Sequence, residues 1–363
     1  MITASEFKNS QKDGIVRLGF VPLNDCAPLA VAMEKGFFVQ QGLQVRLSRE
    51  LGWATIRDKL SHGELDAAHG PCALPFALRA TAIPCDCSTG LVLNLHGNAI
   101  TMSDRLWQQG VRDAATLKQF LRVHRGQRIL TLGIVSRYSS HSYLMRKWLE
   151  SGEIDVEKET RLVVVPPPQM AGNLKAGHLD GYCSGEPWNS VAVAAGDGWI
   201  PATSVRLAPR HPEKVLVVRN DFTRRHREEH VALIAALLKA CQFCDHPANR
   251  DEIVQILSGR EYLNLPEPVI RRGWTPDFDC GKGRTSRSDE FTVFHRDDTN
   301  EPSTDKAAWV LNNLLTPELR AQFTPADLGK IFRSDLYHEA LALSVSTEKN
   351  TFLKTHESPI TLV

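Results

Sequence analysis

Three places in this chain set a polar or planar side chain at the point where a short apolar run gives way to a helical pattern: Trp53, His141, and the pair Gly185-Glu186. The run ending at Ile134 passes through a Ser-rich loop at 135–140. A helical pattern follows, with Tyr143, Leu144, Lys147 and Trp148 at helical spacing and Gly152 as its stop. Such a loop leaves free backbone N–H groups and the positive end of a helix dipole aimed at one spot, which suits an anion. His141, in the first turn, adds a ring donor. Gly185-Glu186 closes a short run at 181–183 and opens another helix, with Pro187 near its first position.

The elements that must position these residues alternate. Apolar runs at 128–134, 161–165 and 181–183 read as strands with helices between them, which predicts a parallel sheet with ligands beyond the carboxyl ends of its strands. His141 and Gly185-Glu186 should then face one cavity. Earlier runs at 15–20, 44–47 and 65–68 read as another such set, and Trp53 begins the helix after the second of them. The segment 91–102 looks like a chain leaving one sheet for another, and the run at 213–219 looks like its return. The expected architecture is α/β with two lobes. Residues 1–98 plus 215–363 form a discontinuous first lobe, residues 99–214 form the second, and two crossing strands act as a hinge that closes on a small ligand. The segment 281–301 is rich in Gly, Ser and charge and reads as a mobile loop.

Composition narrows the function. With 363 residues, two lobes are the default, and 42% hydrophobic and 23% charged residues are ordinary for a globular protein. A formal charge of +1 gives no reason to expect direct contact with nucleic acid or a membrane. The basic run 224–227 is nearly neutralised by Glu228 and Glu229 and has no interleaved aromatics. No stretch approaches ~18 uninterrupted apolar residues, and the polar residues 1–14 hold no apolar core of leader length, so a cytoplasmic location is expected. Cys85/Cys87 and Cys241/Cys244 invite a metal, but zinc wants four donors and neither pair has a second pair at suitable spacing. Burial on one helix face accounts for Cys241 and Cys244. No metal, no cofactor and no enzymatic activity are expected, because no nucleophile–base pair or Gly-rich phosphate loop is evident.

Pro-Pro-Pro-Gln-Met at 166–170, together with Gly-His-Leu-Asp-Gly-Tyr-Cys-Ser-Gly-Glu-Pro-Trp-Asn at 177–189, resembles the nitrate- and bicarbonate-binding proteins of ABC importers. The segments 52–58 and 211–214 look like that family too, and the resemblance covers most of residues 15–275. It implies a periplasmic-binding-protein fold of the second type, with one oxyanion between the lobes. At matching positions Trp53 looks like the tryptophan that packs against the anion, and His141 resembles the binding histidine. Gly185-Glu186 match a Gly-Glu contact, and Asn98 lies near a polar amide contact. Lys214 looks like the lysine that marks nitrate binders where bicarbonate binders carry an acidic residue. With no export leader at its start, the chain looks like the cytoplasmic nitrate/nitrite sensors (NasS-type), which implies a partner protein, an RNA-binding antiterminator of the ANTAR response-regulator type released by nitrate or nitrite.

Nitrate is planar, singly charged and a weak acceptor, so it needs about one positive charge and a few donors. Lys214 would supply the charge, His141 and helix-start N–H groups the donors, and Trp53 a flat wall. Glu186, at close range, would oppose a dianion. Taken singly, each residue has a plain structural role as well: Lys214 a solvated strand end, His141 a polar first turn, Trp53 a core anchor, Glu186 a helix-dipole charge.

Overall fold

The computed structural model describes residues 14–124 and 129–344. The polar segment 1–13 and Arg128 lie outside the described residues. Two sheets organise the chain, each flanked by helices. In chain order the strands are β1 (Ile15–Phe20), β2 (Gln44–Arg49), β3 (Ala67–Pro71), β4 (Cys87–His96), β5 (Asn98–Ser103), β6 (Leu130–Ile134), β7 (Thr160–Val164), β8 (Gly181–Gly185), β9 (Gly198–Thr203), β10 (Pro212–Arg219), β11 (Asp277–Gly281), β12 (Arg284–Arg287) and β13 (Thr292–Val293). The first sheet has the order β13-β4-β10-β3-β1-β2 and the second β7-β6-β8-β5-β9, while β11 and β12 pair as a separate hairpin. Strands joined through helices pair in parallel (β1 with β2 and β3, β6 with β7 and β8). The strands that carry the chain between sheets, β4, β5 and β10, pair antiparallel.

β4 is buried along its whole length, as expected of a strand covered on both faces. The 19-residue helix Arg227–Asp245 lies over it and packs in one core with the helix Ala27–Glu34. Cys241 and Cys244 are buried in that packing. Between β4 and β5 the chain turns at Gly97, whose φ of +93° is costly for any residue with a Cβ and reserves the position for glycine. β5 therefore enters the second sheet one residue after β4 leaves the first. The return runs from β9 through the short helix Ser204–Leu207 into β10.

The segment expected to be a mobile loop is ordered instead. β12 pairs with β11, β13 adds to the edge of β4, and stacked Phe278 and Phe291 bury this region against Ala99, Val193 and Ile200 of the second half. Its apolar residues are too few to show periodicity, yet each finds a partner. No helix among the described residues is long and apolar enough to cross a membrane.

Candidate functional site

The site is built where β10 re-enters the first sheet. Neighbouring residues on a strand normally point to opposite faces. β10 is irregular here: it pairs Lys214 with Pro71 on one side and Asn94 on the other, and its register with β4 shifts on both sides of Lys214. Such bulges re-aim side chains. Glu213 and Lys214 consequently reach the same buried spot. The Lys214 Nζ lies 2.6 Å from Glu213 Oε1 and 2.9 Å from Asp25 Oδ2, and 5.6 Å from the centre of the Trp53 ring. Asp25, in the loop after β1, also meets His69 Nε2 at 2.9 Å through its other oxygen.

Glu213 ties the two halves together. Its Oε2 accepts from the Ser140 hydroxyl and lies 3.1 Å from His211 Nε2, while His141 Nε2 stands 3.9 Å from its Oε1. Ser140 and His141 open the 12-residue helix Ser140–Ser151, whose N-cap Ser139 accepts from the Ser142 N–H. Further bonds span the cleft: Trp188 Nε1 donates to Pro22 O at 3.0 Å, and the Asn24 N–H donates to Glu186 O at 2.7 Å.

Lys214 is thus not the free cation expected from sequence. It is the shared counter-ion of two buried carboxylates. Burial by itself would lower its pKa, but Asp25 and Glu213 reverse the sign and hold the ammonium above its usual range. Burial opposes ionisation of Asp25 and Glu213 too; Lys214, with His69 for the first and His141 and His211 for the second, holds both below the ordinary carboxylate range. For His141 burial dominates and pushes the pKa down to about 4, so the ring is neutral near pH 7.

The remaining sequence candidates divide. Asn98 and Gly185 face each other across β5 and β8. A Cβ on Gly185 would lie 3.4 Å from Asn98 Oδ1 and 3.6 Å from Asp25 Oδ2, so this backbone looks directly into the site. Glu186, one residue on, points the other way. Its carboxylate accepts from the Ser190 N–H at 3.3 Å, its stem packs against Gly273, and burial raises its pKa to about 7. The negative charge beside Lys214 comes from Asp25 and Glu213, not from Glu186 as the sequence suggested.

Asp25, His69, Ser140, His211 and Glu213 were not singled out from sequence. Glu213 had one signal, its place beside Lys214, but regular alternation would have sent it away. Several buried polar atoms have no hydrogen-bond partner among the described residues: both ring nitrogens of His141, Trp53 Nε1, both amide atoms of Asn98, and Glu186 Oε1. Each would cost about 1–3 kcal/mol if left dry and unpaired, so their convergence marks a chamber made for a small polar guest. Trp53 also lines a cavity of about 560 Å³, together with Arg57, Leu74, Ile83, Val135 and Tyr138. Of the residues of the ion-pair cluster and its unpartnered neighbours, only Trp53 lines this cavity.

Two α/β sheets with a buried polar chamber between them define the class: the fold of periplasmic binding proteins. The periplasmic nitrate-binding protein NrtA from Synechocystis PCC 6803 superposes with a TM-score of 0.84 at 29% identity, covering 93% of this chain and 91% of that one. The chain belongs to the NMT1-like family, whose sequence signature matches residues 9–258. It is 31% identical over 344 residues to the nitrate/nitrite binding protein NrtA of Synechococcus elongatus, covering 90% of this chain and 77% of that protein. It is also 39% identical over 305 residues to the bicarbonate transport ATP-binding protein CmpC of Synechocystis, 82% of this chain but 45% of that one. The chain spans just under half the length of such ATP-binding relatives.

Proposed function

We propose that this protein is a substrate-binding component of an import system for nitrate or nitrite, holding the anion between Lys214 and His141. The observation that carries the reading is the buried convergence of one ammonium, an unpartnered imidazole, an unpartnered amide and an indole face. A small planar monoanion could accept from Lys214, His141 and Asn98 Nδ2 while lying against the Trp53 ring. With Asp25 and Glu213 both beside the one lysine, the cluster is net negative, so even a monoanion needs a proton taken up with it and a dianion would be opposed further, which argues against sulfate. Lys214 favours nitrate over bicarbonate by the family resemblance, and relatives named for nitrate support the same choice.

The test is calorimetry with nitrate, nitrite, bicarbonate and sulfate side by side. Saturable heat with nitrate or nitrite and none with sulfate is the expected result; binding of bicarbonate alone would overturn the reading. A finer reading uses the same site in the cytoplasm, where ligand capture releases an ANTAR-type antiterminator. It rests on the sequence resemblance and requires a ligand-dependent difference in partner affinity. Size-exclusion chromatography with such a partner decides it: a complex that nitrate dissociates supports the sensor, and a complex indifferent to nitrate and nitrite removes it.

A further inference from the structure

We propose that Cys85 and Cys87 form a redox-active dithiol, closing to an intramolecular disulfide when exposed to a hydroperoxide, with Cys85 as the attacking thiolate. All eight cysteines are free and buried. Cys26, Cys72, Cys183, Cys241, Cys244 and Cys280 have thiols pushed up by burial, which leaves them inert. Cys85 differs. Its Sγ lies 3.4 Å from Cys87 Sγ and 3.6 Å from Arg219 Nη1. The hydrogen bond from Cys87 lowers its pKa most, burial opposes, and the guanidinium lowers it further.

The surroundings hold this arrangement. Arg219 is fixed by Asp221 at 2.9 and 2.8 Å and by Leu60 O. Cys87 begins β4 directly opposite Arg219, the Asn220 N–H donates to Asp86 O at 2.8 Å, and the Cys85 N–H donates to Leu78 O at 3.0 Å. The two sulfurs need to approach by roughly 1.4 Å to reach bonding distance, within reach of side-chain rotation. Among the described residues no third ligand accompanies the pair as a metal site would need.

In the first step the Cys85 thiolate attacks one peroxide oxygen. The S–O bond forms, the O–O bond breaks, and the departing hydroxide leaves as water with the proton Cys85 gave up. Cys87 then attacks the Cys85 sulfur of the sulfenic acid; the S–S bond forms, the S–O bond breaks, and hydroxide leaves as water with the Cys87 proton. Two thiols are oxidised and one peroxide is reduced to two waters. The residues just before the pair, among them Ala80, Thr81 and Ile83, line the same cavity as Trp53, so closure acts on a wall of that cavity.

The experiment treats the full chain with hydrogen peroxide, blocks remaining thiols with N-ethylmaleimide, and maps peptides by mass spectrometry. The expected product is a loss of two hydrogens in the peptide holding residues 85–87, reversed by dithiothreitol. Cys87→Ser should stop at a Cys85 sulfenic acid trapped by dimedone, and Arg219→Gln should slow the reaction about tenfold. In the unmodified protein Cys85 should alkylate with iodoacetamide at least about tenfold faster than the six solitary cysteines. A pair that stays reduced while other cysteines oxidise, or equal alkylation rates at all eight, would overturn the proposal.

Discussion

Replacing Lys214 with methionine separates the two roles the structure assigns to this side chain. Methionine keeps an unbranched stem of similar length but removes the ammonium that lies 2.6 and 2.9 Å from Glu213 and Asp25. Taking one partner from a buried ion pair costs about 3–5 kcal/mol, because the other charge stays buried without compensation. Here a single nitrogen serves two carboxylates, so the upper end is expected, roughly 5 kcal/mol. Against a total stability on the order of 5–15 kcal/mol, that places Lys214→Met at the edge of folding near neutral pH. Acid should relieve it, since protonating Asp25 or Glu213 removes the stranded charge. Adding Asp25→Asn and Glu213→Gln makes the cluster neutral and should recover most of the lost stability, with nitrate binding still absent. Urea unfolding of the three proteins, paired with nitrate calorimetry, reads both effects. If Lys214→Met unfolds within about 0.5 kcal/mol of the parent, or the triple variant binds nitrate as the parent does, the reasoning fails.

Glu186 should make stability fall as pH rises. Its folded pKa of about 7 lies above the ordinary carboxylate value, so its contribution is complete below about pH 4.5 and is lost as pH climbs through about 7, a difference of about 3 kcal/mol. Glu186→Gln should flatten that slope in urea midpoints taken at about pH 5 and about pH 8; a slope equal to the parent's would refute the assignment. Anion binding should tighten as pH falls, because a negative guest beside the neutral His141 ring raises its pKa from about 4 and draws in a proton. Calorimetry in buffers of different ionisation enthalpy should detect this uptake, and His141→Gln should abolish it. Trp53→Ala should cost about 3–5 kcal/mol of stability and weaken nitrate affinity about tenfold, read by thermal melts and titration; unchanged affinity would remove the indole from the chamber wall.

The alternation of strands and helices was legible because each buried strand is a compact apolar run bounded by turn residues, as at 130–134 and 213–219. The crossing at 96–98 and the return strand at 213–219 were legible for the same reason, with Gly97 marking the first; the short helix Ser204–Leu207 that leads into the return was not read from the sequence. The ordered 281–301 segment was not, since short strands that only complete the edge of β4 and a hairpin carry no periodicity of their own. Among the site candidates, Lys214 lies near Trp53 and within one ion-pair cluster with His141 through Glu213, Asn98 pairs with Gly185, and Glu186 bonds to the Ser190 N–H with its other oxygen unpartnered.

By itself the sequence determined which local runs become strands or helices, and that His141 and Gly185 stand at strand ends facing a cleft, because those properties follow from residue spacing along a few turns of chain. Only the tertiary structure decided the charge of the chamber. Asp25, His69, Ser140, His211 and Glu213 come from segments up to 188 residues apart, and the irregular register of β10 turns Glu213 inward beside Lys214. Electrostatics in a buried site depends on distances of a few ångströms between such groups, and no pattern along the chain encodes those distances.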